Sequence, residues 1–153
     1  MAIADRLKQL GITLPTLVAP AANYVPYVLS RGTLYLSGQG PKRPDGTFCT
    51  GKVGADVTVE EAYQHARLTG LGLLAAMEQA LGSLDRVERI VKLLGMVNCT
   101  PEFGQSPAVI NGCSDLFVDV FGEAGWHARS AVGLNALPNG ITVEIEAIVE
   151  VKG

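Results

Sequence analysis

Two charged side chains in the C-terminal stretch WHARSAVGLNALPNGITVEIEAIVEVKG offer chemistry: Arg129 and Glu144. Arg129 has few other charges near it and is followed by small residues, Ser130, Ala131 and Gly133. An arginine with that much room keeps its planar fork open to grip a carboxylate through two parallel N–H bonds. Fixing a substrate's carboxylate also fixes the carbon beside it for attack. The other candidates weigh less. His65 falls mid-helix and reads as a partly buried helical residue, and His127 reads as packing beside Trp126. Cys49, Cys99 and Cys113 are scattered without CxxC spacing, so they read as reduced thiols and not as a zinc site or disulfide frame. Cys113 in particular reads as an inert core thiol. Glu146 and Glu150 read as exposed strand carboxylates. SGQG and GLG are too short for phosphate loops, so neither a metal nor a cofactor is expected.

To act together, Arg129 and Glu144 must be brought to one place. Asn139-Gly140 is a strong two-residue hairpin signal. It predicts a C-terminal hairpin in which Leu137 faces Thr142, Asn135 faces Glu144 and Arg129 faces Glu150. Side chains alternate along a strand. Ile141, Val143, Ile145, Ala147, Val149 and Val151 are therefore expected to face the helices. Arg129, Ala131, Gly133 and Asn135 are expected to share the other side with Glu144, Glu146 and Ile148. Even so, Arg129 would lie roughly 20 Å along the strand from the partner of Glu144, at ~3.3 Å per residue. A bulge or a subunit boundary must close that gap, and the boundary is the favoured expectation.

Upstream, ADRLKQLGI sets Ile3, Leu7 and Leu10 at helical spacing before a glycine, predicting a short N-terminal helix within 1–12. A Pro-rich connector, TLPTLVAPAA, follows. YVPYVLSRGTLYLSGQGP predicts two strands around the turn Arg31-Gly32, and KRPDGTFCTGKVG a loop with a short strand at its centre. DVTVEEAYQHARLTGLGLLAAMEQALG predicts a long helix, opened by a capping box of Thr58 and Glu61 and stopped at Gly82. VERIVKLLGMVNC reads as a buried strand. SPAVINGCSDLFVDVFG predicts a second helix with Ser106 as N-cap, Pro107 at N1 and Gly122 as stop. This order predicts an α+β fold, a mixed sheet with both main helices on one face.

At 153 residues the chain is expected to be one domain, 1–153. It is 48% hydrophobic but only 18% charged, apolar enough that a second copy is expected to cover the helix-free sheet face. A net charge of -3 without a basic run argues against a nucleic-acid partner. No apolar run reaches the length of a membrane span, and the start MAIADRLKQLGITLP does not read as a signal peptide. A cytoplasmic protein is the expectation.

The stretch ARSAVGLNALPNGITVEIEAIVEV resembles the C-terminal signature of the Rid (reactive intermediate deaminase, YjgF) family. VPYV followed by LYLSGQGP resembles its other hallmark, a Tyr strand leading into Ser-Gly-Gln, and the likeness runs from about Pro20 to Val151. The resemblance implies a chorismate-mutase-like α+β fold assembled as a homotrimer with clefts between subunits. It implies hydrolysis of enamine/imine intermediates such as 2-aminoacrylate to 2-keto acids and ammonia. Arg129 stands where the family's arginine grips the substrate carboxylate, and Glu144 where its glutamate holds water. Tyr27, Ser37 and Asn111 match pocket positions. Ala131 stands where many members have cysteine, a residue that contributes mainly backbone contacts. The N-terminal helix and the longer 40–56 loop depart from the family pattern and imply a divergent subgroup. A non-catalytic carboxylate-binding or regulatory trimer is the alternative, and endoribonuclease, an old family label, the third reading.

Overall fold

The apolar positions along β5 (Val143–Val151) set the architecture, because every odd-numbered residue from Val143 to Val151 is buried while the even ones are half-buried or exposed. Such period-two burial is a strand with one face on a core. In the computed structural model, which describes residues 1–17, 23 and 25–153, β5 lies at the centre of a five-stranded sheet. The other strands are β1 (Tyr27–Ser30), β2 (Thr33–Gln39), β3 (Val87–Asn98) and β4 (Ala128–Leu134), in the order β1-β2-β5-β3-β4. Two long helices, α2 (Val59–Leu81) and α3 (Ser106–Phe121), cover one face, and α1 (Ile3–Gln9) buries Leu7 beside them. The fold is the expected α+β, chorismate-mutase-like arrangement. Part of the Pro-rich connector falls outside the described residues.

Local chemistry fixes several of these ends. Thr58 Oγ1 accepts from the Glu61 N–H at 3.1 Å, and the Thr58 N–H donates to Glu61 Oε1 at 3.1 Å, so the capping box forms. Gly82 ends α2 in the left-handed region at φ +80°, which a glycine enters without steric cost. The Arg31-Gly32 turn joins β1 to β2 in register, Ser30 opposite Thr33, with both turn residues at positive φ. Gly112 lets α3 lie close on α2: a Cβ there would meet the Tyr63 carbonyl carbon at 2.9 Å and the Arg67 nitrogen at 3.0 Å.

Three expectations are corrected. The C-terminal segment is not a hairpin: β4 runs parallel to β3, β5 runs antiparallel to β3, and β3 lies between them. The connection is held across the end of β3. The Gly51 N–H donates to Gly140 O, the Thr142 N–H to Cys49 O, and the Asn98 side chain to both Gly51 O and Ile141 O. Those bonds take the backbone groups a tight hairpin would have paired, so Asn139-Gly140 makes only a short 3₁₀ turn. Ser106 is the first residue of α3, not its cap; Gln105 holds that place without a side-chain bond. The 41–53 loop forms isolated bridges, Lys42 with Phe48 and Thr50 with Ile141, and not a strand.

Candidate functional site

Parity along the strands decides where the charged groups point. Arg129 pairs with Leu93, a buried core residue, so it shares the helix-covered face. Its Nη1 donates to Asn111 Oδ1 at 2.8 Å and to Ser114 Oγ at 3.1 Å, both on α3. Asn111 and Ser114 are three residues apart and so lie on one side of the helix. Arg129 is half-buried. Both Nη1 hydrogens are occupied, while Nε and Nη2 have no partner among the described residues. The side-on edge of the fork is thus the open one, a geometry that accepts a carboxylate bidentately.

Glu144 lies between the buried Val143 and Ile145 and therefore projects from the opposite, helix-free face. The expectation that Arg129 and Glu144 share a face is overturned, because β4 pairs with β3 and not with β5. Ala147, like Arg129, is in register with Leu93. Two strand spacings and a three-residue offset then set the Arg129 and Glu144 backbones roughly 14 Å apart, on opposite sides of the sheet. Glu144 is half-buried against Gly38, whose added Cβ would come within 3.1 Å of the Glu144 Cδ. That approach occurs where β2 slips register between Leu36 and Gln39. Burial, aided by the neighbouring Glu146 carboxylate, raises the Glu144 pKa above the ordinary 4.5.

The other candidates divide between the two ends of the sheet. Ser37 sits in the β2 irregularity, its hydroxyl donating to Val25 O at 2.5 Å. Tyr27, opposite Leu36, is half-buried against the core from the edge strand β1. Ala131, opposite Gly95, lies on the same side as Arg129. Asn111 and Ala131 accompany Arg129; Ser37 is near Glu144. Strands β1 and β4 are the two sheet edges, roughly 19 Å apart at ~4.8 Å per strand, so one chain does not bring all six residues together.

Sequence reasoning missed Ser114 and the polar role of His127. His127 is half-buried, with its Nε2 2.8 Å from Ser114 Oγ and its Nδ1 2.6 Å from Gly125 O. It packs edge-on to Phe117, while Trp126 beside it is 65% exposed and gives it no core. The signal that could have found Ser114 was its i+3 spacing from Asn111. His65 Nδ1 meets the buried Thr142 Oγ1 at 2.9 Å, so it joins α2 to the end of the crossover. Cys113 is fully buried and its thiol is pushed far up by that burial. Among the described residues no three His, Cys, Asp or Glu side chains gather as a metal set, and no helix is long and apolar enough to cross a membrane.

Two concavities open on the surface. One, of about 450 Å³, is lined by Arg89, Val91, Trp126, His127 and Ala128; the other, of about 290 Å³, lies among Arg43, Cys49, His65 and Arg67. Neither is lined by Arg129 or Glu144. The helix-free face carries exposed apolar side chains, among them Val28, Tyr35 and Val132.

A family model described as "YjgF/chorismate_mutase-like, putative endoribonuclease" matches residues 4–144. Protein TCP17 of Trypanosoma cruzi is 49% identical over 151 residues, 98% of this chain and 94% of that protein. The crystal structure of Atu1372 from Agrobacterium tumefaciens, of unknown function, superposes with a TM-score of 0.90 at 46% identity, over 99% of this chain and 94% of that one. RidA from the Antarctic bacterium Psychrobacter sp. PAMC 21119 superposes at 0.61 with 27% identity, over 90% and 94% respectively.

Proposed function

The chain belongs to the YjgF/RidA family, and from that premise we propose that it hydrolyses enamine/imine intermediates of the 2-aminoacrylate class to 2-keto acids and ammonia. The observation that carries this reading is the held guanidinium. Asn111 and Ser114 fix Arg129 Nη1 and leave the Nε–Nη2 edge without a partner among the described residues. Pre-orientation of that kind turns an encounter into a positioned attack. In the imine acid the carboxylate adjoins the C=N carbon. Water adds to that carbon and its proton passes through Glu144 to the nitrogen. The C–N bond of the carbinolamine then breaks as the hydroxyl proton passes to the departing nitrogen, giving C=O and ammonia. A carboxylate whose proton affinity is already raised suits a group that must take a proton and return it.

Because Arg129 and Glu144 occupy opposite faces, the site is completed by a second copy in a homotrimer. The β4 edge of one subunit, with Arg129, Asn111 and Ala131, meets the open face of its neighbour, with Glu144 and Ser37; Tyr27, paired with the buried Leu36, lies on the helix-covered side. The exposed apolar face supports this assembly. A second reading, a non-catalytic small-carboxylate-binding or regulatory trimer, is favoured by one observation: the arginine fork stands complete without Glu144 beside it. Glu144→Gln separates the two, since it spares keto-acid binding but removes turnover only in an enzyme.

The test is to generate 2-aminoacrylate in situ and follow keto-acid formation. Wild type should accelerate it and Arg129→Ala should not; equal rates with and without protein, or an unimpaired Arg129→Ala, would sink the deaminase reading. Subunit sharing has its own readout. Reassembling Arg129→Ala with Glu144→Gln in equal amounts should return about a quarter of wild-type activity, because one site in four then draws both intact residues. A site confined to one subunit returns none.

A further inference from the structure

We propose that Ser114 and His127 form a positioning bracket that sets the orientation of Arg129, making them specificity-determining residues for a carboxylate ligand although neither touches it. The inference rests on the carboxylate-binding role proposed above for Arg129, and is separable from the deaminase chemistry.

The directions of the hydrogen bonds follow by elimination. Gly125 O is a carbonyl and can only accept, so His127 Nδ1, 2.6 Å away, carries the proton. In the neutral ring the second nitrogen is then an acceptor. Nε2 therefore takes the Ser114 hydroxyl proton across 2.8 Å. With its hydrogen committed, the Ser114 oxygen offers only lone pairs, and one of them receives Arg129 Nη1–H at 3.1 Å. Asn111 Oδ1 receives the other Nη1 hydrogen at 2.8 Å. One polarised chain thus runs from a backbone carbonyl through imidazole and hydroxyl to the guanidinium, and each donor in it has one place to go.

The bracket needs the imidazole neutral. A protonated ring would donate from Nε2 and leave Ser114 oxygen between two cations. Burial in the first place, and then the Arg129 charge, hold the His127 pKa below the ordinary 6.5, against the opposing pull of the Gly125 carbonyl. α3 presents Ser114 and Phe117 to the ring, the turn before it presents Gly125 O, and β3 contributes Arg89 on the shared groove. The charged groups facing it are therefore cations, which favour the neutral form. A serine without the imidazole behind it could turn its hydrogen toward the arginine and release Nη1, freeing the fork to swing.

The experiment uses the full-length ¹⁵N-labelled protein and 2-oxobutanoate as probe. Long-range ¹H–¹⁵N spectra at neutral pH should show His127 protonated on Nδ1, and the Arg129 Nη signals should be resolved by hindered rotation. Ser114→Ala and His127→Phe should collapse that splitting and raise the 2-oxobutanoate dissociation constant about tenfold, the scale of one charge-assisted bond. His127→Gln, which returns an acceptor oxygen at the reach of Nε2, should recover affinity to within about threefold of wild type. A proton found on Nε2, or unaltered Arg129 rotation in Ser114→Ala, would overturn the bracket; so would His127→Gln binding as weakly as His127→Phe. Absence of imine hydrolysis by the wild-type protein would count against the deaminase reading and leave these readouts to decide the bracket.

Discussion

Replacing Gly38 by alanine separates the placement of Glu144 from the stability of the fold. The backbone at Gly38 does not occupy the left-handed region, so an alanine costs no conformational strain there. The new Cβ would overlap Glu144 Oε2 and stand 3.1 Å from Cδ and 3.2 Å from Cγ. Ordinary carbon contacts begin near 3.5 Å, so the carboxyl end must retreat, its near oxygen by roughly 1 Å. A half-buried glutamate on an open sheet face can do that by rotating its side chain, which costs about 1 kcal/mol. Removing a glycine from the unfolded ensemble returns ~0.4–1 kcal/mol. The two nearly cancel, and the melting temperature should move by no more than about 3 °C. Turnover is another matter, since a 1 Å misplacement at the reacting centre costs about 10²-fold. Paired steady-state assays of imine hydrolysis and calorimetric melts should therefore show kcat falling about a hundredfold with an unaltered unfolding transition, and with keto-acid affinity retained. Full activity in Gly38→Ala would refute the assignment of Glu144 to the reacting centre. A collapse of stability would refute the claim that its carboxylate is free to yield.

Glu146 raises the proton affinity of Glu144; because the proposed mechanism needs Glu144 ionised, the acid limb of kcat should lie above pH 4.5, and Glu146→Gln should move that limb downward, an upward or absent shift contradicting the coupling. Gly112→Ala meets backbone that cannot swing aside, the Tyr63 carbonyl and the Arg67 nitrogen, and should destabilise by about 3 kcal/mol, lowering the urea midpoint by roughly 1–2 M. Glutamates at Tyr35 and Val132 place charges on the helix-free face; light scattering should find the double variant monomeric and the hydrolysis assay should find it inactive, and an active monomer would remove the second copy from the site.

The helices and strands were legible because each carries its own periodicity or cap. The Thr58–Glu61 box, the Gly82 stop and the odd-numbered apolar run of β5 are local signals that tertiary structure had no cause to override. The Asn139-Gly140 turn misled because a turn propensity says how the chain bends and not which strand it then joins. The partners that diverted it, Cys49, Gly51 and Asn98, are remote in sequence, and their backbone and amide groups carry no signature in a linear pattern. Among the candidate residues, Asn111 and Arg129 do meet, whereas Ser114 and His127 went unread as a pair because their meeting depends on the packing of α3 against the edge of β4. Residue type marked Arg129 and Glu144 as a pair and the family likeness agreed, but only the pairing of β4 with β3 showed that one chain holds them apart.

That separation has a chemical advantage over any arrangement that set the two charges side by side. On one face, within reach, the guanidinium and the carboxylate would form an ion pair, depressing the proton affinity of Glu144 and filling the fork that a ligand needs. Placement on opposite faces of the sheet prevents this. The Arg129 fork keeps its Nε and Nη2 edge open, and the proton affinity of Glu144 is raised by burial and by Glu146. Assembly can then bring the two halves to opposite ends of a small acid, the ligand's own anionic end lying against the arginine and its reacting carbon nearer the glutamate. In that arrangement the charge of the substrate neutralises the arginine, and Glu144 keeps the proton affinity its surroundings confer. In the proposed assembly, association of subunits and readiness for chemistry are therefore coupled, because the strand order leaves each chain with half of the site on each face.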